Sequence, residues 1–203
     1  MLSLQRQRGF SMVEVLVVVA VLTTMLAALV PSVMDWIRAA RVRNAAEAVY
    51  TGLQKARIEA IKRNVSVTFW LVSSPESGGP PDKNCQLRSN SASWVVSIES
   101  PAGACHHEPS TTVTPKIVAA HGEGAVSSGV SVRGIGSDGQ AAAMSVTFNG
   151  AGQTTMDAAA LRRVDFDHEA ESARKYSVQI SPGGDVRLCD RIVKDAFDPR
   201  RCA

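Results

Sequence analysis

The chain has 203 residues, a formal net charge of +3, and 20% charged residues. This length suits one globular domain plus an anchoring segment. The charge is too small to indicate nucleic-acid binding by itself, and an aromatic content of 5% argues against a surface on which single strands stack.

The first element in the chain is an apolar segment behind a short basic stretch. Two arginines, Arg6 and Arg8, come before a Gly9-Phe10 junction, and Glu14 is the only charge in the roughly 20 residues that follow. An apolar helix of this length spans a hydrocarbon core, and a carboxylate within it indicates a function and a partner. Because the small residue precedes the apolar run, cleavage after Gly9 would leave the helix on the protein.

The helical pattern continues beyond the apolar segment. Over residues 33–62 apolar side chains recur at spacings of three and four, which predicts a helix with one buried face. We therefore predict one long helix with a transmembrane half over residues 10–30 and an amphipathic half over 31–64. Pro31 lacks an N–H group and should kink or loosen the helix at residues 27–30. Gly52 indicates close packing against a sheet, with a merely tolerated glycine as the alternative.

After Asn64 the pattern changes to the period of two that is typical of strands. Turn residues separate the strand candidates, and no crossover helices connect them, so the sheet should be antiparallel and the fold class α+β. The predicted strands cover residues 65–71, 94–98, 116–119, 130–133, 144–148, 164–166, 176–180 and 186–188.

Four cysteines follow the export-type N-terminus. An even number in such a chain predicts two disulfide bonds formed in an oxidising compartment, and three pairings are possible. We favour Cys85–Cys105 and Cys189–Cys202, because each closes a short local loop.

Two motifs have chemical interpretations that the sequence does not favour. His106-His107-Glu108 beside Cys105 could bind a metal, but adjacent side chains rarely face one site, so we interpret the stretch as a solvated loop. Residues 134–139 match G-x-G-x-x-G, yet too few residues follow for the helix that a dinucleotide site requires, so we interpret them as a turn. No catalytic constellation is apparent, and we expect no enzyme activity, cofactor or metal.

The N-terminal layout resembles the type IV pilin class, which comprises pilins, minor pilins and type II secretion pseudopilins. The resemblance implies that a prepilin peptidase cuts after Gly9, that Phe10 is then N-methylated, and that Glu14 is the fifth residue of the mature chain. Pro31 matches a proline that is frequent in the class. Residues 1–9 would be the leader, and residues 65–203 a periplasmic β-rich domain.

The same resemblance implies how such a chain works. It is held in the inner membrane, in contact with lipid, and then enters a filament through an assembly platform. In the filament, Glu14 of one subunit neutralises the amine of Phe10 on its neighbour. The partners are therefore other pilins or pseudopilins.

Further stretches resemble the GspH/FimT branch of this class. In that branch a helix ending in A-R-x-E-A-I-x-R-N, here residues 56–64, leads into the first strand. Trp94, residues 146–152 and residues 176–184 also match, as does the tail that closes at Cys202. The sequence does not decide between a type IV pilus and a type II secretion system, although the cysteine tail leans towards the pilus.

One departure from the branch affects a DNA-binding interpretation. FimT-like tails can carry Gly-Arg-x-Arg, a motif associated with DNA binding, but here Asp185 replaces the first arginine and only Arg187 remains. Interleaved carboxylates offset the other basic residues, so we interpret the tail as solvated and keep a tip pilin that binds DNA or another ligand as the alternative. The candidate contacts for that alternative are Arg187, Arg191, Arg200 and Arg201.

Overall fold

The computed structural model describes residues 11–73, 75, 79–124, 129–155, 157, 159–169 and 174–202, with the backbone alone for residues 28–32. The predicted processing residues Gly9 and Phe10 and the side chain of Pro31 lie outside this description. One helix, α1, covers Met12–Arg63 and is followed by eight strands in the described residues. The strands are β1 Val67–Leu71, β2 Trp94–Ser97, β3 Ile117–His121, β4 Val130–Ile135, β5 Ser145–Phe148, β6 Arg163–His168, β7 Tyr176–Ile180 and β8 Val186–Asp190.

The chain divides into two compact units, the first ending at Ile37 and the second beginning at Arg38. In the first unit, Ser11 caps α1, because its side-chain Oγ accepts a hydrogen bond from the backbone N–H of Glu14 at 3.3 Å. Within the described part of the chain, no helix combines the length and apolarity needed to cross a membrane.

In the second unit, α1 packs one apolar face into the core, which confirms the predicted amphipathic pattern. Its fully buried positions are Val42, Ala46, Val49, Leu53, Ala56 and Ala60. Gly52 lies on the same face, and a Cβ atom there would come within 2.6 Å of the Trp94 ring and 2.8 Å of the Phe69 ring. The close packing predicted for this glycine is therefore confirmed.

The eight predicted strands are all present, but they form two sheets instead of one. The strand order is β3-β2-β1-β5 in the first sheet and β4-β6-β7-β8 in the second, and every pairing is antiparallel. The split arises because β4 pairs along its whole length with β6, whereas β5 pairs with β1. Alternation within a strand does not specify the partner, so the sequence pattern could not predict this arrangement.

The inner faces of both sheets share one core with the second-unit part of α1, in which Phe69, Phe148 and Phe166 are fully buried. A smaller cluster on the first sheet contains Val72, Val95, Ile117 and the disulfide Cys85–Cys105. The second disulfide joins Cys189 in β8 to Cys202. Both pairings are the ones favoured from the sequence.

Candidate functional site

The start of α1 presents apolar side chains that nothing in the described chain covers. Exposed fractions include 86% for Met12, 68% for Val13, 53% for Val15 and 65% for Leu16. Glu14 is exposed among them, in the first turn, where the positive end of the helix dipole favours a carboxylate. Phe10, Glu14 and Pro31 are the residues predicted to act in assembly, and of these the structure describes only the side chain of Glu14. Glu14 is therefore a carboxylate among exposed apolar side chains at the start of the helix.

Three of the sequence segments that resemble the GspH/FimT branch meet at the C-terminal end of α1. Arg57 Nη1 lies 3.1 Å from Asp185 Oδ1, which joins the helix to the turn between β7 and β8. Gly152 has a φ of 75° and packs on Ile61, and a Cβ atom on Gly184 would overlap the Gly152 carbonyl oxygen. Arg57, Gly152 and Gly184 belong to the matched segments, whereas Asp185 is the departure from the branch, and together their contacts join the helix to both sheets.

The tail is an ordered loop that returns to β8. The N–H of Asp190 donates to the carbonyl oxygen of Arg200 at 2.7 Å, and Arg201 forms a parallel bridge with Asp190. Closer to the tip, the N–H of Arg201 donates to the carbonyl oxygen of Asp198 at 3.1 Å. These bonds and the Cys189–Cys202 bridge fix the loop at its base, while most of its residues stay exposed to solvent, as the interpretation of a solvated tail expects.

The candidate DNA-contact arginines mostly bind groups of the protein itself. Arg187 donates to the carbonyl oxygens of Pro199 and Arg201, and Arg191 contacts both carboxylate oxygens of Asp167 at 3.0 and 3.1 Å. Arg200 Nη2 lies 2.7 Å from Asp198 Oδ2, and hydrogen bonds from Arg200 lower the pKa of the Asp198 carboxyl to about 2. The backbone of Arg201 forms the bridge with Asp190, and its carbonyl oxygen accepts a hydrogen bond from Arg187. This arrangement does not support the DNA-binding alternative, because phosphate readers need cations that are not already paired with carboxylates.

The structure also describes the two motifs whose chemical interpretations the sequence did not favour, the histidine pair and the glycine-rich stretch. The rings of His106 and His107 contact edge to face at 4.5 Å, and no group of three His, Cys, Asp or Glu side chains in the described residues is placed to hold a metal ion. Residues 134–139 end β4 and form a turn, in which Asp138 Oδ1 accepts the N–H groups of Gln140 and Ala141. The interpretation of these glycines as a turn is confirmed.

A cleft of about 340 Å³ lies between α1 and the end of β3, and its residues were not singled out in the sequence. We call it the α1–β3 cleft. The His121 ring stacks on Trp94 with 5.6 Å between ring centroids, and its partial burial lowers the pKa of its imidazole. Only the fold brings these lining residues together: Arg41, Asn44, Ala45, Ala48, Ala92, His121, Gly122, Glu123 and Gly124.

Comparison with known proteins gives two family matches. The family model described as Type II transport protein GspH matches residues 45–184, and the model of the prokaryotic N-terminal methylation motif matches residues 4–30. No curated protein sequence matches the chain.

Two crystal structures of the type IV minor pilin FimU from Pseudomonas aeruginosa strain PAO1 are similar to this chain at 14% sequence identity. The first, in space group P21, covers 72% of this chain and 87% of FimU with a TM-score of 0.43. The second, in space group P65, covers 72% and 90% with a TM-score of 0.41.

Proposed function

Because the chain belongs to the family of the type II transport protein GspH, a family of minor pilins and pseudopilins, we propose that it is a subunit of a periplasmic filament. The families are structural, and the proposal assigns no catalytic step to this chain. In this proposal a prepilin peptidase cuts after Gly9, the amine of Phe10 is methylated, and α1 carries the β-rich domain into the filament.

The single observation that carries the proposal is the match to the N-terminal methylation motif over residues 4–30, together with exposed apolar side chains along the same stretch. Exposed apolar surface of this extent needs a cover, and either lipid or neighbouring helices provide one. The membrane stage of the proposal rests on the sequence and on this motif. Two disulfides support an oxidising compartment such as the periplasm for the β-rich domain.

Glu14 supplies the specific interaction in this proposal. Inside a bundle of apolar helices a lone carboxylate is costly, and a neighbouring N-terminal amine offsets that cost through a close ion pair. The exposed, uncovered position of Glu14 in the first turn leaves its carboxylate accessible to such a partner. The new N-terminus at Phe10 lies close to it in the chain, so parallel helices that are staggered slightly could bring the two groups together.

The assembly test compares Glu14→Ala with Glu14→Asp, which keeps the charge, and with Val18→Ala, which trims an apolar neighbour. We expect Glu14→Ala to be processed normally and to enter filaments at least about tenfold less, since removing one partner of a buried pair costs several kcal/mol. Glu14→Asp should recover part of the incorporation, and Val18→Ala should behave like the parent. Sheared filament fractions measured by immunoblot give the result. Normal incorporation of Glu14→Ala would contradict the proposed role.

A second experiment tests the processing step separately. A bulky residue at the cleavage junction should block the peptidase, so we expect Gly9→Val to keep its basic leader and to migrate more slowly on a gel. Gly9→Ala, the smallest change, is the matched control and should still reach the membrane. If Gly9→Val is processed like the parent, residues 1–9 are not a prepilin leader.

A further inference from the structure

One arginine on the second sheet has no carboxylate partner in the described chain. Arg162, which is half-buried just before β6, donates from Nη1 to the hydroxyl oxygen of Thr154 at 2.6 Å, and this is its one side-chain bond within the described residues. The adjacent arginine differs, because Arg163 Nε lies 3.3 Å from Asp165 Oδ1. Taking a guanidinium partly out of water without a counterion is unfavourable, so Arg162 is a cation to which an anion would bind favourably.

The fold around Arg162 fixes its position. Its backbone N–H donates to the carbonyl oxygen of Ile135 at 2.9 Å, and its carbonyl oxygen accepts the N–H of Ile180 at 2.8 Å. Thr154 is only 6% exposed, and its hydroxyl donates to the carbonyl oxygen of Pro182 at 3.1 Å, which leaves the hydroxyl oxygen to accept from Arg162. A guanidinium has five N–H donors, and this bond uses one of them. The other donors are held in a defined place, which reduces the entropy lost when an anion binds.

Arg162 lines a cavity of about 360 Å³ at one end of the second sheet, which we call the Arg162 cavity. Ile135 and Ile180 supply an apolar part of its wall, and Arg163 and Ser181 supply polar parts. None of its described lining residues is an aspartate or a glutamate. The cavity therefore combines a cation that lacks a carboxylate partner with apolar wall, and this combination suits an anionic group carried on a short aliphatic stem.

Carboxylates in the turns beside the cavity are engaged elsewhere. Asp138, in the turn after β4, accepts the N–H groups of Gln140 and Ala141 through Oδ1 at 2.9 and 2.8 Å, and these bonds lower the pKa of its carboxyl. Asp185, in the turn after β7, lies 3.1 Å from Arg57. An anion for Arg162 therefore has to come from outside the described chain.

A carboxylate fits this cavity better than a phosphate does. A guanidinium can bind either group through two parallel N–H bonds, so the rest of the cavity decides between them. A nucleic-acid backbone needs several cations along its length, but the described lining offers one, since Arg163 pairs with Asp165. Ile135 and Ile180 offer apolar contact to the methylene groups of an aspartate or glutamate side chain.

We propose that the Arg162 cavity binds the carboxylate of an aspartate or glutamate side chain from a different pilin subunit. The inference rests on the proposed function, because a minor subunit of a filament has other kinds of subunit as its neighbours. It adds a contact of the β-rich domain to the helix contact made by Glu14. A charge pair of this kind selects the neighbour, since a wrong neighbour leaves a partly desolvated cation unpaired.

The first experiment asks whether the cavity binds a carboxylate. The full-length chain in non-ionic detergent carries isotopically labelled arginine, and butanoate is titrated while NMR spectra follow the Nε–H signal of Arg162, which is assigned by its absence in Arg162→Lys. We expect a saturable shift of this signal in the millimolar range, because the anion forms an ion pair with the guanidinium. Butanamide, which has the same shape without the charge, and sodium chloride at equal ionic strength should leave the signal in place.

The Nε–H signal of Arg88, an exposed arginine, is the matched control within the same sample and should not show a saturable shift. If butanoate gives no saturable shift at Arg162, the proposal is wrong. A shift by inorganic phosphate at lower concentrations than butanoate also overturns it, because the cavity would then be a phosphate site.

The second experiment identifies the source of the carboxylate. Arg162→Lys keeps the positive charge and supplies an amine, which a water-soluble carbodiimide joins to an adjacent carboxylate as an amide, with the corresponding urea as the leaving group. After treatment of sheared filaments, we expect mass spectrometry to map an adduct from position 162 to an aspartate or glutamate of another pilin. Arg88→Lys supplies the control amine at an exposed position and should give no such adduct.

An adduct on a second copy of this chain or on a protein that is not a pilin overturns the proposal, and so does the absence of an adduct. If Arg162→Lys does not fold, the photoreactive analogue p-benzoylphenylalanine at Ser137, in the exposed turn that lines the cavity, takes its place with Arg162 intact. The adduct should again lie on another pilin, and its absence has the same meaning.

The outcomes separate this inference from the proposed function. Loss of incorporation in Glu14→Ala together with no butanoate shift leaves the filament function standing and overturns the cavity assignment. Normal incorporation of Glu14→Ala together with butanoate binding and an adduct on another pilin has the opposite meaning. In that case the contact of the β-rich domain is correct, but the proposed helix chemistry is wrong.

Discussion

Replacing Gly52 with alanine tests how closely α1 packs on the first sheet. In an exposed helix this change would stabilise the protein by about 1 kcal/mol, because alanine has the higher helix propensity. Here the new Cβ atom would lie 2.6 and 2.7 Å from two Trp94 ring atoms and 2.8 Å from a Phe69 ring atom. Phe69 is fully buried and Trp94 is 6% exposed, so neither ring can move into solvent.

The two effects oppose each other, and the overlap should be the larger. Adding a methyl group to a filled core costs about 1–3 kcal/mol, and contacts with two large rings favour the upper part of that range. After subtracting the helix gain, we expect Gly52→Ala to lower the free energy of unfolding by about 1–2 kcal/mol. For a chain of this size the melting temperature should then fall by about 2–8 °C.

Thermal unfolding of the detergent-solubilised chain, followed by near-ultraviolet circular dichroism, measures this shift. Thr51→Ala is the control at an exposed neighbouring position and should change the stability by no more than about 0.5 kcal/mol. In the background of Phe69→Leu, which removes one of the two rings, Gly52→Ala should cost less. An increase in melting temperature for Gly52→Ala alone would refute the close packing, because only the helix propensity would then remain.

Two further predictions concern the tail loop. Because Arg200 holds the pKa of the Asp198 carboxyl at about 2, below the ordinary 3.8, the pair stabilises the loop fully above about pH 4, and this contribution is lost as the pH falls through 2. An NMR titration should give that midpoint, and Arg200→Ala should return it towards 3.8; a midpoint near 3.8 in the parent would contradict the pairing. Cys189→Ser combined with Cys202→Ser should leave the β-rich domain folded but make the last dozen or so residues protease-sensitive, since loop closure contributes on the order of 3 kcal/mol. Protease resistance equal to that of the parent would show that packing orders the loop without the bridge.

The elements of the fold were predictable because local sequence determines them. The buried face of α1 in the second unit and the alternation in strands such as β7 follow from the periods of helix and strand, and the structure has both. The partition into two sheets was not predictable, because β4 and β6 are separated by more than twenty residues and nothing in either strand excludes β5 as a partner. Gly52 was recognised as a packing residue, but its contacts with Phe69 and Trp94 required the fold.

The candidate sites divide in the same way. Glu14 was identified from the sequence because a carboxylate in an apolar run is conspicuous regardless of the fold. Arg162 gave no comparable signal, because an arginine among other charged residues is ordinarily expected to pair with a carboxylate, and only the structure shows that its partner is the hydroxyl of Thr154. The α1–β3 cleft was not predicted either, because nothing in the sequence indicates that Ala48 and His121 lie close together. Only the fold makes them neighbours.

The tail arginines show why a count of charges misleads when partners are unknown. In the sequence, Arg187, Arg191 and Arg200 are cations with aspartates between them, and the sum of the charges makes the tail basic. In the structure, Arg191 bonds across the sheet to Asp167, more than twenty residues away, and Arg187 binds backbone carbonyl groups. A phosphate group would have to compete with these contacts, and the released carboxylates would then repel it. The same contacts that weaken the DNA interpretation hold the base of the loop against β8.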